Sequence, residues 1–155
     1  MRWLWVLAVC ALPLGCVLPP GDEVSPAPEL VTLERAEAWY KRGLTAMAER
    51  RYGDAVVAFN ASLREFPTQY RVHYRLGRCQ YQLGNYDLEI LEYRKCLALN
   101  PQHKNALYHL GSAYTARDEI ASARDCFRQL VALAPGDANA ERALLMLEAV
   151  ARRQE

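Results

Sequence analysis

The stretch that decides the fold is "HYRLGRCQYQLGNYD", residues 73–87. Its pattern returns 34 residues downstream as "LYHLGSAYTARDEIA", residues 107–121. It also stands one interval upstream, in "WYKRGLTAMAERRYGD", residues 39–54. Laid on itself at this spacing, the chain divides without a gap into residues 36–69, 70–103 and 104–137. Tyr40, Tyr74 and Tyr108 then fall in register, as do Gly43, Gly77 and Gly111. So do Phe59, Tyr93 and Phe127, and Pro67, Pro101 and Pro135, while Tyr52, Tyr86 and Ile120 share a fifth position. A fixed period of this length is the mark of a stacked repeat architecture.

Each unit reads as two helices. The first covers 37–49, 71–83 and 105–117; the second covers 53–65, 87–99 and 120–133. Short polar turns separate them, and Asp54 and Asp87 place negative charge in the first turn of a second helix, where the dipole favours it. The prolines close each unit, because proline has no N–H to give a helix interior. Gly43, Gly77 and Gly111 allow two helices to approach closely, and Phe59, Tyr93 and Phe127 fill the space between them. No pair can bury its apolar face alone, so the expectation is an all-α solenoid with one continuous core. After the third unit, Ala140, Ala143, Leu144, Leu147 and Val150 form one helical stripe. That stripe predicts a closing helix over 138–152. Leu145 and Met146 lie off it, as part of a wide apolar face or as a contact for a partner or a second copy.

These residues resemble the tetratricopeptide repeat family. Trp39, Gly43, Ala55, Phe59 and Pro67 occupy its motif positions in the first unit, and Leu76, Gly77, Tyr93 and Pro101 in the second. Leu110, Gly111, Tyr114, Ala123, Phe127 and Pro135 do so in the third. The resemblance covers residues 36–137 of the 155. It implies a right-handed superhelical solenoid of three helix-turn-helix repeats, within a domain over 32–155 that ends in the capping helix. Two positions depart from the pattern. Arg42 stands where Leu76 and Leu110 stand, and Glu89 where Ala55 and Ala123 stand. A lone buried carboxylate is costly, so Glu89 must reach solvent, find a basic partner or mark a shift of its helix.

The first residues are of another kind. "MRWLWVLAVCALPLGC" has one basic residue and then 14 uncharged ones. A membrane-spanning helix needs roughly 20; a basic start, apolar middle and small-residue end fit an export signal over 1–15. "LPLGC" resembles the lipobox of bacterial lipoproteins, in which the cysteine, here Cys16, carries the lipid. Pro13 departs from the leucine usual in that motif. The alternatives are a plain secretory signal and an uncleaved anchor. Val17 follows the cysteine, where an aspartate favours retention at the inner membrane. The resemblance therefore implies a lipid anchor in the bacterial envelope, at the outer membrane and facing the periplasm. Residues 16–31 hold Pro19, Pro20, Pro26 and Pro28, and are expected to form an extended tether without helix or, equally, a disordered remnant after the signal.

Composition excludes several functions. The net charge is +1, and beyond residue 15 basic and acidic residues balance. Such a chain offers no electrostatic footprint for nucleic acid. His73, His103 and His109 lie apart, without the spacing of a metal set. Cys79, Cys96 and Cys126 read as small core residues. No nucleophile lies beside a base, and there is no phosphate-cradling glycine loop and no nucleophile elbow. The expectation is a non-enzymatic protein with no cofactor and no small-molecule substrate.

In the family the first helices line a hollow that holds peptides or partner proteins. Helical spacing puts Tyr40, Leu44 and Met47 on one face. Tyr74, Arg78 and Tyr81 repeat the offsets, as do Tyr108, Ser112 and Thr115, with Arg71 and Asn105 one turn earlier. This predicts an aromatic groove with two arginines near its middle, types that anchor interfaces; the other reading is that the tyrosines fill gaps between helices. Some family members clamp a C-terminal carboxylate with lysine and asparagine. Tyr40 and Leu44 replace the first such pair, so that mode is not expected. The expected role is a protein-binding scaffold that helps assemble an envelope complex such as a pilus or secretion system. The alternative is a regulatory adaptor of an envelope enzyme such as a cell-wall hydrolase.

Overall fold

A computed structural model describes residues 28–153. The signal-like stretch, Cys16 and the chain as far as residue 27 lie outside these residues. Seven helices follow one another: α1 Pro28–Ala48, α2 Tyr52–Glu65, α3 Tyr70–Gln82, α4 Tyr86–Leu99, α5 Lys104–Ala116, α6 Ile120–Leu133 and α7 Ala138–Ala151. No strand occurs among the described residues. Each helix packs chiefly on the next in sequence, α1 on α2 through to α6 on α7. This is an all-α solenoid of three helix pairs and a closing helix.

The helix ends match the sequence expectation to within a residue or two, except at α1. That helix begins at Pro28, inside the stretch expected to be extended. Proline is tolerated as the first residue of a helix, because the N–H it lacks has no intrahelical partner there. The four prolines therefore do not bar a helix across the whole segment; Pro28 starts one.

The repeat is visible in the backbone itself. Arg50, Gly84 and Asp118, each 34 apart, take φ of 59°, 75° and 60° at the end of the first helices. The following amides, Arg51 N, Asn85 N and Glu119 N, each donate to the carbonyl five residues back, at Ala46, Gln80 and Tyr114. This is the left-handed helix stop that glycine adopts without strain. Only the middle unit has glycine there. At the other end of each pair, Phe66, Asn100 and Ala134 have φ near −142° (−142°, −141°, −142°) and precede Pro67, Pro101 and Pro135. Proline forces the residue before it out of the helical region, so each second helix stops one residue earlier still.

Three core clusters run along the stack. Tyr40, Ala55, Phe59, Val72, Leu76 and Cys79 form the first. Tyr74, Ile90, Tyr93, Cys96, Leu110 and Cys126 form the second. Leu107, Phe127, Leu130, Ala140 and Leu147 form the third. The glycine and aromatic positions are complementary: a Cβ on Gly43, Gly77 or Gly111 would meet Phe59, Tyr93 or Phe127 at 2.5, 2.6 and 2.8 Å. The three cysteines are free and buried, and burial pushes each thiol up to about 11. Arg42 is exposed and lies over the Trp39 ring at 5.3 Å. Leu76 and Leu110 are buried because a preceding helix pair covers their faces, and among the described residues none precedes α1. On α7, Ala140 and Leu147 are buried, whereas Val150, Leu145 and Met146 are exposed.

Candidate binding groove

The first helices of the pairs, α1, α3 and α5, carry the residues picked out by spacing, and burial divides them. Tyr40 and Tyr74 are only 4% and 8% exposed. Their rings pack on Phe59 at 5.7 Å and Tyr93 at 6.0 Å, so both belong to the core. They fall under the gap-filling reading, each lying beside the ring that fills the space over a glycine. Leu44 and Met47 are half-buried against the same cluster as Tyr40. Arg71 is exposed and its guanidinium covers the Tyr40 ring at 5.1 Å. Thr115 is exposed and turns its hydroxyl back to the Gly111 carbonyl at 2.8 Å.

The remaining five residues fall into two cavities. Arg78, Tyr81 and Ser112 line a cavity of about 1090 Å³ between α3, the start of α4 and the second half of α5. Asn105 and Tyr108 line a smaller one of about 320 Å³, with Asp137 and Asn139 from the turn into α7. The larger cavity exists because the third unit is small where the second is bulky. Ser112, Ala113 and Ala116 face it, at positions held in the second unit by Arg78, Cys79 and Gln82.

Most of the residues that line it were not among those chosen by helical spacing. Tyr86, Glu89 and Tyr93 come from α4, and His109 from α5. Tyr86 pairs edge-on with Tyr81 at 6.5 Å, and Tyr93 stacks on His109 at 5.6 Å. Arg117 and Asp87, also on the lining, form an ion pair with each other. Glu89 is the departure noted in the sequence. It is 4% exposed, and among the described residues no hydrogen bond or ion pair reaches its carboxyl. The basic-partner outcome is therefore not the one found: the side chain is buried at the cavity wall. Burial pushes its carboxyl from 4.5 up to about 7.

This predicts a pH dependence of stability. The folded protein holds a proton on Glu89 that the unfolded chain releases near 4.5, so stability falls as pH rises from there through about 7. The thermal midpoint of the wild type is expected to drop between about pH 5 and 8 relative to Glu89→Gln, whose side chain does not titrate. Parallel curves for the two proteins rule out a buried carboxyl. Elsewhere, Glu92 lies between His73 at 2.7 Å and Lys95 at 2.6 Å. Burial pushes its carboxyl up, but the bonds from His73 and Lys95 outweigh that and hold it below its usual range. His103 caps α5, its Nδ1 accepting from Ala106 N–H at 3.1 Å.

Two overlapping matches to the tetratricopeptide repeat family, over residues 40–103 and 92–138, cover more than half of the chain. The chain belongs to that family. It is 37% identical over 62 residues, 40% of its length, to the probable biofilm formation methyltransferase WspC of Pseudomonas putida. It spans 9% to 15% of the length of the curated relatives it matches. Among solved structures it is similar to the first such domain of Spaghetti (RPAP3), bound to the HSP90 peptide SRMEEVD. There the TM-score is 0.71 at 15% identity, over 77% of this chain and 95% of that one. It is also similar to the Yersinia enterocolitica type III secretion chaperone SycD in complex with a peptide of the translocator YopD. There the TM-score is 0.67 at 22% identity, over 79% and 96% of the two chains. At these identities the likeness is one of fold.

Proposed function

We propose that this protein is a non-enzymatic scaffold of the bacterial envelope. On this reading Cys16 carries a lipid anchor, and the exposed part of the groove holds a segment of a partner protein. It helps assemble or stabilise a multi-protein complex such as a pilus or secretion system. One observation carries the reading: the first helices leave Arg71 exposed over the Tyr40 ring, and Arg78, Tyr81 and Tyr108 exposed at the walls of two cavities. Arginine and tyrosine are residue types that dominate interface energetics. The peptides held by the RPAP3 domain and by SycD support a groove of this kind.

The test is crosslinking in intact cells followed by purification. Wild type is expected to bring down a recurrent envelope complex, and Arg71→Glu with Tyr108→Ala to lose most of it while keeping its helical circular dichroism. Tyr74→Ala is unsuitable here, because that ring is in the core. Retention of the complex by the double variant moves the contact to the outer face or α7. The anchor has its own test. Cys16→Ser is expected to shift the protein from the membrane to the soluble fraction, and unchanged fractionation removes the lipid from the reading.

A further inference from the structure

The large cavity contains an acid without a partner. Glu89 is buried at its wall, in a position where the first and third units carry Ala55 and Ala123. A buried carboxyl with no partner is destabilising unless something supplies one. The surrounding groups do not. From α3, Arg78 is exposed and forms no ion pair among the described residues, with Glu89 or any other acid. From the end of α5, Arg117 is taken by Asp87 and, at 2.9 Å, by Glu119. His109 is held below its ordinary value by burial and by Arg78, so it is neutral near pH 7. Burial first, and then Glu89, push the Tyr93 hydroxyl up, so it is uncharged there too. What remains is an acidic group flanked by two aromatic pairs, Tyr81 with Tyr86 and Tyr93 with His109.

We propose that this cavity receives an arginine side chain of a partner polypeptide, with the Glu89 carboxylate as its counter-ion. The proposal rests on the scaffold reading and names the chemistry that its groove selects. Arginine fits better than lysine for three reasons. Its guanidinium is planar, stacks on aromatic faces and is less strongly hydrated, so it enters a half-dry site at lower cost. The volume of about 1090 Å³ admits a long side chain together with part of the backbone that bears it. Entry of the cation displaces the proton from Glu89, so capture strengthens as pH rises through about 7.

The experiment uses the full-length protein in detergent micelles and a blocked peptide, acetyl-GSGSRGSGS-amide. Matched peptides carry lysine, citrulline or glutamate at the centre. The arginine peptide is expected to shift the ring resonances of Tyr81, Tyr86 and His109, and to bind about tenfold more tightly at pH 8 than at pH 6. Lysine should bind more weakly and citrulline should not compete. Glu89→Gln should bind at least about tenfold more weakly at pH 8 and lose the pH dependence. Equal binding of citrulline, unchanged binding by Glu89→Gln, or capture of the glutamate peptide through Arg78 overturns the proposal. If Glu89→Gln does not fold, the carbon-13 titration of the Glu89 carboxyl in the wild type decides. Its midpoint falls on saturation with the arginine peptide, or the proposal is wrong. Crosslinked capture that still depends on Arg71 and Tyr108 in that event leaves the scaffold reading standing.

Discussion

Phe59→Ala is expected to lower the stability of the protein by about 3–5 kcal/mol, the range for deleting a buried aromatic ring. The ring is fully buried, lies against Tyr40 at 5.7 Å and fills the gap over Gly43. Nothing nearby can collapse into the space: Ala55 is too short, and Val72 and Leu76 are already packed from the second unit. The loss should be read in urea as a lower midpoint. It should also be unequal along the chain, because stacked units share only nearest-neighbour interfaces. Amide exchange is expected to accelerate most in α1 and α2 and least in α6 and α7. Uniform acceleration over all seven helices contradicts the nearest-neighbour picture.

Gly77→Ala is the second large effect, and here two terms oppose each other. Alanine is the better helix former, by about 1 kcal/mol. Its Cβ, however, would lie 2.6 Å from the Tyr93 ring, which is 1% exposed and has nowhere to move. Overpacking of that kind costs about 1–3 kcal/mol, so the clash wins and the protein is destabilised. Tyr93→Leu, which removes the ring, should recover part of the loss in the double variant, giving a non-additive cycle. Gly53 supplies the opposite sign. It lies in α2 and a Cβ there meets nothing within 4 Å, so Gly53→Ala should stabilise. Thermal denaturation of the three single variants tests both signs; stabilisation by Gly77→Ala removes the close approach as the reason for glycine.

The pairing of helices was legible because it follows from one period and from complementary sizes, glycine facing a ring. Those are local and repeated three times. The site was legible only in part. Helical spacing selects a face of α3 but does not say how deep a tyrosine sinks into it. Tyr74 is buried and Tyr81, seven residues on, is exposed, since only the former lies over Tyr93. The cavity could not be read from α3 and α5 alone, because Tyr86 and Glu89 reach it from α4. Its one signal in the sequence was Glu89 itself, a carboxylate where its counterparts are alanine. Pro28 was misleading for a different reason: the same residue that breaks a helix interior is welcome at a helix start.

The recurring joint at Arg50, Gly84 and Asp118 has a consequence for growth of the molecule. All three positions bend the chain in the same sense and close it with the same pair of backbone bonds. A further 34-residue cassette spliced in after residue 103 would bring its own copy of this joint inside its helix pair. Length can therefore change by whole increments while the local architecture of every existing neighbour pair stays as it is. The reach of the hollow is adjustable in a way that the depth of any one cavity is not.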